Sequence, residues 1–320
     1  MKILVTGGAG FIGSNLVDKL LSEEHEITVI DNFNDYYDPA IKERNVAPHA
    51  DDVRYHLVRG DIEDAETVDG LFKSGGFDCV VHLAARAGVR PSLENPAAYI
   101  KTNVLGTTNI LEAMHRHEVK KLVFASSSSV YGNCRAETFS EDLKVTEPIS
   151  PYAASKSACE QICYTYCHLY GIKTVCLRFF TVYGPRQRPD LAIRKFIEKI
   201  ERGEAIEMYG DGTTKRDYTF IGDIVAGIRA AIAYDATPYE IINLGGGEPI
   251  TLSRMIETIE TVLGKKAAIL RKPMQPGDVV KTVCDWSKAN RLLGYTPSTR
   301  FEDGIRKFVE WRTKYVETID

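Results

Sequence analysis

The stretch MKILVTGGAGFIG (Met1–Gly13) decides the fold, because it places regularly spaced glycines directly after an apolar run. The run Ile3–Thr6 predicts a buried strand, and the amphipathic stretch Ser14–Leu21 predicts a helix behind it. Glycine allows the backbone between them to turn sharply and to approach a ligand, and a helix N-terminus stabilises a pyrophosphate. The sequence therefore predicts a dinucleotide-binding loop whose glycines are Gly7, Gly10 and Gly13.

Apolar runs and helical patterns continue to alternate through the first half of the chain. Such an alternation indicates a parallel sheet covered on both faces, so we expect an α/β, doubly wound Rossmann fold. The further predicted strands are Ile27–Ile30, Val53–Val58, Cys79–Leu83, Leu122–Ser126 and Thr174–Phe179, and the further predicted helices include Tyr99–Met114 and Ala153–Tyr170.

After about residue 180 the pattern changes to loops, short helices and turns rich in glycine and proline. A helix is predicted at Ile221–Tyr234, a strand at Glu240–Leu244 and a helix at Leu252–Leu263. We expect residues 1–180 to form a dinucleotide-binding domain, with residues 213–240 returning to it. Residues 181–320 would then form mainly a smaller, interleaved α/β substrate-binding domain.

The composition is that of a globular protein, with 44% hydrophobic residues, 26% charged residues and a formal net charge of −4. This charge disfavours nucleic-acid binding, and no apolar run approaches the ~18 residues of a membrane span. The N-terminus lacks the features of a signal peptide, and seven cysteines, an odd number spread over a long chain, indicate a reducing cytoplasm and not a disulfide scaffold. Cys159, Cys163 and Cys167 share one helix face, where packing is favoured over metal binding, so no metal site is predicted.

A carboxylate ends the second predicted strand, where it can accept hydrogen bonds from ribose hydroxyls. This residue, Asp31, would repel a 2′-phosphate, and no arginine follows it before Arg44. NAD is therefore favoured over NADP. Asp61 ends the third strand and could similarly meet the adenine, with a solvated loop acid as the alternative.

Tyr152 and Lys156 lie four residues apart at the start of a predicted helix and so share one face. The ammonium of Lys156 would stabilise the phenolate and lower the pKa of Tyr152, which would make the tyrosine a usable base. Because the chain has 16 tyrosines, this spacing arises about once by chance, and the context supports the prediction. The fifth strand ends in Ser126–Ser129, where a serine can contact the hydroxyl that the phenolate deprotonates.

Together these motifs resemble the extended short-chain dehydrogenases/reductases over essentially the whole chain. Matching segments are Thr6–Gly13, Asp31–Asn32, Asp61–Ile62, His82–Ala85, Asn103, the triad Ser127, Tyr152 and Lys156, and Arg216–Tyr218. The resemblance implies bound NAD, held by Gly7, Gly10, Phe11, Ile12, Gly13, Asp31, Asn32, Asp61, Ile62, Leu83, Ala84, Ala85, Tyr152 and Lys156, with Asn103 supporting the active-site helix. It also implies oxidation of a nucleotide-sugar hydroxyl, return of the hydride, and a homodimer through helices near Tyr99–Met114 and Ala153–Tyr170.

Within this family the residues after the fifth strand distinguish the reactions. Dehydratases place Asp-Glu where Ser128 and Ser129 stand, and decarboxylases that make pentose sugars place a glutamate where Ser129 stands. Without these carboxylates, elimination lacks its acid and base. The resemblance then implies oxidation at carbon 4, rotation of the keto sugar and hydride return, which is a 4-epimerase.

Other segments, Asn34–Asp38, Ala87–Arg90 and Phe180–Asp190, are similar to the UDP-glucuronate 4-epimerases. The implied substrate contacts are Arg90, Ser127, Ser128, Ser129, Tyr152, Thr181, Arg188, the diphosphate-binding Arg216 and the ribose-binding Asp278. Hydroxyls and the Arg188 guanidinium would suit a hexuronate carboxylate, and an Arg188 bound to diphosphate or to a surface acid is the alternative. Arg86 departs from the glutamine that is common in close relatives.

The resemblance thus implies interconversion of UDP-glucuronate and UDP-galacturonate. A UDP-glucose or UDP-N-acetylglucosamine 4-epimerase is the alternative within the family, since many UDP-galactose epimerases carry asparagine where Thr181 stands. From a different class, the chain could be a non-catalytic NAD-binding regulator. The intact set of Ser127, Tyr152 and Lys156 speaks against a regulator, because a sensor needs the glycine loop but not the base.

Overall fold

A parallel sheet flanked by helices organises the chain, in a computed structural model that describes residues 1–273 and 281–317. The strands are β1 (Lys2–Thr6), β2 (Glu26–Asp31), β3 (Tyr55–Arg59), β4 (Cys79–His82), β5 (Lys121–Ser127), β6 (Lys173–Phe179), β7 (Thr181–Tyr183), β8 (Ile206–Tyr209), β9 (Lys215–Phe220), β10 (Tyr239–Leu244), β11 (Pro249–Thr251) and β12 (Ile269–Lys272). The α-helices are α1 (Phe11–Ser22), α2 (Pro39–Val46), α3 (Ala65–Gly75), α4 (Val89–Glu94), α5 (Pro96–Tyr99), α6 (Gly106–Arg116), α7 (Pro151–Tyr170), α8 (Ala192–Glu201), α9 (Ile221–Ala233), α10 (Leu252–Leu263), α11 (Ser287–Leu293) and α12 (Phe301–Glu317). None of these helices combines the length and the apolar character needed to cross a membrane.

The central sheet has the strand order β3-β2-β1-β4-β5-β6-β10, and every neighbouring pair is parallel. The strand order reverses between β1 and β4. In a doubly wound sheet, ligands bind in the crevice outside the carboxyl ends of the strands at this point. The observed sheet confirms the predicted Rossmann fold and places one cleft at the ends of β1, β2, β4 and β5.

Apolar side chains cover both faces of the sheet, because successive residues of a strand point to opposite faces. On β1, Ile3 and Val5 pack with α1 and α9, whereas Leu4 packs with α3, α6 and α7 on the other face. All three side chains are fully buried. Burial of one such side chain stabilises by roughly 1.5–3 kcal/mol, so the two layers hold the sheet edge that forms the cleft.

Elements from the C-terminal half return to the central sheet. Strand β10 pairs with β6, and helix α9 packs against α1. The remaining C-terminal elements form a second lobe with its own apolar core, to which Phe196, Met255 and Phe308 contribute. That lobe holds the sheet β11-β9-β7 and the parallel pair of β8 and β12. We propose on this basis a larger dinucleotide-binding domain and a smaller, interleaved substrate-binding domain.

Several observed elements begin or end a few residues away from their predicted bounds, and two show a local irregularity. The strand predicted at Val53–Val58 begins only at Tyr55, because the Asp52 carboxylate accepts a hydrogen bond from the Arg54 amide at 2.9 Å and holds a turn there. The helix predicted at Tyr99–Met114 is interrupted by a π-helical turn at Ile100–Leu105. Turns of this kind often occur at functional sites, and this one includes Asn103.

Candidate active site

The glycine loop brings α1 against the ends of β1 and β4. Gly7 has a φ of 71°, and a Cβ on it would lie 2.8 Å from the backbone nitrogen of Ala84. A Cβ on Gly13 would lie 2.3 Å from the carbonyl oxygen of Gly7, so both positions require glycine. Gly10 precedes α1 without a side-chain cap. The first amides of the helix can therefore bind a phosphate group.

Asp31 ends β2 and is buried at the edge of the same cleft. Its carboxylate accepts hydrogen bonds from the amides of Ala9 at 3.2 Å and Phe33 at 2.9 Å. Burial raises the pKa of Asp31, and the charge of Lys42, whose Nζ lies 4.0 Å away, opposes that rise. Its contact with ribose hydroxyls therefore stays a prediction, and the acid lies at the carboxyl end of β2, at the edge of the sheet where such folds bind their ligands.

Lys42 is a cleft residue that the sequence analysis missed. Its ammonium donates hydrogen bonds to the backbone and side-chain oxygens of Asn34 at 3.0 and 3.2 Å, and it lies 5.0 Å from the centre of the Tyr37 ring. The side chain is buried, and burial lowers its pKa. The sequence feature that could have indicated a buried Lys42 is its position on the apolar face of α2, next to Ile41 and four residues before Val46.

The loops after β3 and β4 form another wall of the cleft. Asn32 donates a hydrogen bond to the Asp61 carboxylate at 2.8 Å. The hydroxyl oxygen of Thr6 accepts hydrogen bonds from the amides of Leu83 at 3.1 Å and Ala84 at 3.0 Å. These contacts join the ends of β1 and β4 and fix the backbone strip that lines this side of the cleft.

Helix α7 begins beside the end of β5. Ser150 precedes it and accepts a hydrogen bond from the Ala153 amide at 3.1 Å. Pro151 occupies the first helical position, where its missing amide proton is not needed. Tyr152 therefore lies in the first turn, and Lys156 follows one turn later on the same face.

Lys156 joins α7 to the strand below it. Its buried ammonium donates a hydrogen bond to the Ala125 carbonyl at 2.7 Å and lies 4.9 Å from the centre of the Phe124 ring. Ala125 lies on β5 two residues before Ser127. The ammonium is thus held beneath the end of the strand that supplies the serine.

The surroundings of Tyr152 favour its neutral form. Burial raises the pKa of Tyr152, while a hydrogen bond with Ser127 and the positive charge of Arg188 act to lower it. Burial lowers the pKa of Lys156. This result differs from the prediction that Lys156 lowers the pKa of the phenol. The physical reason is that desolvation of the phenol outweighs the hydrogen bond with Ser127 and the charge of Arg188, and Lys156 is not among the groups that shift this pKa.

Asn103 lies behind the cleft and joins two segments that border it. Its side-chain oxygen accepts a hydrogen bond from the Arg86 amide at 2.8 Å, and its nitrogen donates to the Arg86 carbonyl at 3.0 Å. The same nitrogen donates to the Ser155 hydroxyl at 2.9 Å. Because Ser155 precedes Lys156 on α7, Asn103 ties the loop after β4 to the helix with the tyrosine and the lysine.

Arg188 reaches the cleft from the loop after β7. Its guanidinium donates two hydrogen bonds, of 2.9 and 2.8 Å, to the Asp190 carboxylate and lies 5.3 Å from the centre of the Tyr36 ring. Its charge also acts on Tyr152. The arginine is therefore close to the phenol, and in this structure it binds a neighbouring acid.

The serine cluster after β5 has a compact arrangement. Ser127 donates a hydrogen bond to the Ser129 hydroxyl at 3.1 Å and accepts one from the Ser129 amide at 3.1 Å. Ser128 begins a short 3-10 turn, Ser128–Tyr131. The cluster therefore presents hydroxyl groups, not carboxylates, at the end of the strand.

The other predicted substrate residues lie on the second lobe or face it. Arg90 is exposed on α4, with its guanidinium 5.1 Å from the centre of the Tyr209 ring on β8. Thr181 and Arg216 lie on the neighbouring strands β7 and β9. Asp278 lies outside the described residues.

The cleft gathers many of the residues predicted to hold a dinucleotide. Its lining includes Gly7, Gly10, Phe11, Ile12, Gly13, Asp31, Asn32, Asp61, Ile62, Leu83, Ala84, Ala85, Tyr152, Lys156 and Arg188. It also includes residues that the sequence did not single out, among them Tyr36, Tyr37, Lys42, Thr102 and Phe179. The predicted residues outside this lining are Arg90, Asn103, Ser127, Ser128, Ser129, Thr181 and Arg216.

The cysteines of α7 lie in the protein core. Cys159 and Cys163 pack in the apolar layer between α7 and the sheet, and Cys159 donates a hydrogen bond to the Asn103 carbonyl at 3.2 Å. Across residues 1–273 and 281–317, no group of three potential ligand side chains is placed to hold a metal ion. These thiols therefore act as small packing groups.

Comparisons with known proteins agree with this architecture. A family model described as GDP-mannose 4,6 dehydratase matches residues 4–308. A protein of Thermodesulfobacterium geofontis named UDP-glucuronate 4-epimerase is 43% identical over 319 residues, which cover 99% of this chain and 97% of that protein.

Solved structures match over the same extent. The crystal structure of UDP-glucuronic acid 4-epimerase from Bacillus cereus in complex with UDP-glucuronic acid and NAD is 36% identical, with a TM-score of 0.92 and coverage of 98% of this chain and 100% of that chain. The structure of UDP-glucose 4-epimerase with UDP-glucose from Thermotoga maritima is 33% identical, with a TM-score of 0.91 and coverage of 99% and 100%. The chain therefore belongs to the extended short-chain dehydrogenases/reductases, in the family described as GDP-mannose 4,6 dehydratase.

Proposed function

We propose that the protein is a UDP-glucuronate 4-epimerase, which interconverts UDP-glucuronate and UDP-galacturonate with bound NAD. The observation that carries this proposal is the cluster of hydroxyl groups at Ser127–Ser129, at the end of β5, whose Ser127 makes a hydrogen bond with Tyr152 of the Rossmann cleft. Relatives with the same name, from Thermodesulfobacterium geofontis and, as a probable assignment, Rhizobium meliloti, are 43% and 38% identical to nearly the full chain.

The cleft has the features that a dinucleotide requires. The turn at Gly7 and Gly13 leaves no room for a Cβ, which permits the close backbone approach that a pyrophosphate needs. Asp31 can accept hydrogen bonds from the ribose hydroxyls, and Lys42 adds a positive charge at the same end. When bound, the nicotinamide accepts a hydride from the sugar and returns it.

Tyr152 acts as base and then as acid. It takes the proton of the sugar hydroxyl at carbon 4, while Ser127 holds that hydroxyl by a hydrogen bond. Burial raises the pKa of the phenol, and the hydrogen bond with Ser127 and the charge of Arg188 oppose that rise. We propose that the ammonium of Lys156, one helical turn away, also favours ionisation. When the hydride returns to the opposite face of the rotated sugar, Tyr152 gives the proton back.

The acids of the cleft are badly placed for elimination. Among the residues described as lining it, the carboxylates are Asp31 and Asp61, which lie at the ends of β2 and β3 and not beside Tyr152. Ser128 and Ser129 provide hydroxyl groups at the end of β5. Removal of water would therefore lack the carboxylate acid and base that it needs in addition to Tyr152, and return of the hydride completes the reaction.

A uronate substrate adds a chemical requirement. Oxidation of glucuronate at carbon 4 gives a β-keto acid, which loses carbon dioxide readily, so the carboxylate must be held away from the geometry that favours cleavage. We propose that Ser128, Thr181 and Arg188 hold it. To bind the sugar carboxylate, the Arg188 guanidinium would release the carboxylate of Asp190. The new contact would again be bidentate and charge-assisted.

The proposals on assembly and location rest on other features of the chain. Ile100 and Leu105, which precede α6, and Tyr164 and Leu169 of α7 are between 44% and 59% exposed. We propose that these apolar side chains are buried in a homodimer. All seven cysteines are unpaired thiols, which supports a reducing cytoplasm as the location.

The test is to incubate the purified protein separately with UDP-glucuronate, UDP-glucose and UDP-N-acetylglucosamine and to follow the products by proton NMR. We expect UDP-galacturonate from UDP-glucuronate, and a loss of about 10²–10⁴-fold in rate for Tyr152→Phe. UDP-glucose is included because structures of UDP-glucose 4-epimerases align closely. Conversion of UDP-glucose alone would overturn the substrate assignment, and full turnover by Tyr152→Phe would overturn the assignment of the base.

A further inference from the structure

A buried ion pair lies below the reacting groups, between α7 and strands β5 and β6. Glu160 is 3% exposed and Arg178 is 1% exposed. The guanidinium donates from Nε to Oε1 at 2.9 Å and from Nη2 to Oε2 at 2.8 Å. The same carboxylate accepts a hydrogen bond from the Ser126 hydroxyl at 2.5 Å.

The pair is built on the elements that also hold the catalytic residues. Arg178 is the register partner of Ser126 across β5 and β6, and Glu160 contacts both from α7. Tyr152, Lys156 and Glu160 follow one another at intervals of four residues on α7 and so share one face. Glu160 therefore connects the helix of the tyrosine and lysine directly to the strand that ends in the serine cluster.

We propose that Glu160 and Arg178 are positioning residues: their ion pair holds α7 in register with the ends of β5 and β6, and the Glu160 carboxylate neutralises the charge of Arg178 below Tyr152 and Lys156. Stability alone does not account for such a pair, because apolar side chains of similar volume are often as stable in a core. The role in turnover rests on the function proposed above, whereas the neutralisation of the Arg178 charge does not.

Several titratable groups face the pair from the elements packed around it. They are Lys156, Cys159 and Cys163 on α7, Tyr239 on β10 and Tyr131 after β5. Behind them, Cys176 on β6 lies by Cys163, Glu141 by Tyr131, and His82 on β4 by Lys156. Burial raises the pKa of Cys159, Cys163, Tyr131 and Tyr239 and lowers that of His82, so these groups are uncharged near neutral pH. Glu160 is thus the negative charge on the α7 face shared with Lys156.

The expected size of the effect follows from the helix geometry. Eight residues of α-helix place Glu160 about 12 Å from Tyr152. At an effective dielectric constant of about 20, one unit charge at that distance changes a pKa by about one pH unit. Loss of the negative charge makes the potential more positive and favours the phenolate, so the ionisation of Tyr152 moves to lower pH.

The test uses three matched proteins. Glu160→Gln removes the charge and keeps the shape, and adding Arg178→Met to it removes both charges. Glu198→Gln is the control, because it removes an acid that pairs with Arg194 at 2.9 Å in the second lobe. Ionisation of Tyr152 is followed by the ultraviolet absorbance of phenolate during a pH titration, with the same protein carrying Tyr152→Phe as the subtracted reference.

We expect Glu160→Gln to lower the midpoint of this titration by about one pH unit. The double variant should return it to the wild-type value, and Glu198→Gln should leave it there. An unchanged midpoint in folded Glu160→Gln protein, or an equal shift in Glu198→Gln, would overturn the proposal. The titration uses no sugar nucleotide, so it tests the ion pair independently of the proposed function. If the variants shift the midpoint as expected but the wild-type protein has no epimerase activity, the proposed function is wrong and the role of the ion pair stands.

A second variant keeps the proposal testable if Glu160→Gln does not fold. Glu160→Asp retains the charge and shortens the side chain by one methylene, which breaks the contacts to Ser126 and Arg178. We expect an unchanged midpoint, an unchanged KM and a kcat lowered by about ten-fold or more, because a small misplacement of reacting groups is costly. A wild-type kcat in this variant would refute the positioning role.

Discussion

Mild acid is expected to destabilise the protein through a buried histidine at the end of β4. His82 is 1% exposed, and its ring nitrogens meet the hydroxyl groups of Thr6 at 2.6 Å and Thr107 at 3.0 Å. Burial, together with the charge of Lys156, lowers the pKa of His82 to about 3. In the unfolded chain the same ring has a pKa of about 6.5.

The direction of the effect follows from these two pKa values. Between about pH 3 and pH 6.5 the unfolded chain binds more protons at His82 than the folded protein does, so stability falls as the pH falls. The contribution of the neutral, buried His82 to the free energy of unfolding is complete above the pKa that the histidine has in the unfolded chain. Between pH 7 and pH 5 its loss is about 2 kcal/mol, which is the free energy of protonating the imidazole in the unfolded chain only. This is a large share of the roughly 5–15 kcal/mol that stabilises a typical protein.

The measurement is the free energy of unfolding in urea at pH 7 and pH 5. The wild-type protein should lose free energy of unfolding between pH 7 and pH 5. We expect this loss to be about 2 kcal/mol smaller in His82→Gln. Thr107→Val is the matched control, because it removes one hydrogen bond to the ring and leaves the imidazole buried. It should lose similar stability at both pH values and retain the wild-type difference. An unchanged difference in His82→Gln would refute the reasoning.

Two further substitutions test the dinucleotide cleft. Asp31→Asn should stabilise the protein without NAD yet weaken NAD binding. Burial raises the pKa of Asp31, so the folded protein loses stability as the pH rises through that pKa and the carboxylate becomes charged. Thermal midpoints measured against pH and NAD titrations check the two effects, and tighter NAD binding would contradict the prediction. Gly13→Ala should weaken NAD binding and cost about 1–3 kcal/mol of stability, because the new Cβ would lie 2.3 Å from a backbone oxygen. Gly70→Ala is the control, because Gly70 lies in α3 and no atom lies within 4 Å of the new Cβ. It should raise the stability by about 0.4–1 kcal/mol. Equal losses of stability in both alanine variants would contradict the account of the glycine loop.

The sequence predicted those features that depend on local pattern. The run Ile3–Thr6 and the glycines after it predicted the first strand and the turn, because backbone conformation and apolar periodicity are written in neighbouring residues. Contacts that depend on tertiary packing were not predictable in this way. Lys42 meets Asn34 only because α2 folds back over the loop after β2, and Glu160 meets Arg178, 18 residues away, only through the register of α7 and β6.

Substrate choice depends on contacts between loops that are far apart in the sequence. Arg188, from the loop after β7, lies over the ring of Tyr36, from the loop after β2 that also borders the dinucleotide cleft. An arginine that releases Asp190 to hold a sugar carboxylate would keep this ring contact, so substrate binding and the cofactor loop are physically connected. The same base and lysine can serve several related reactions, because the loops around them decide which group is held and where. Specificity in this chain is therefore expected to change through Arg188, Tyr36 and Asp190 before it changes through Tyr152.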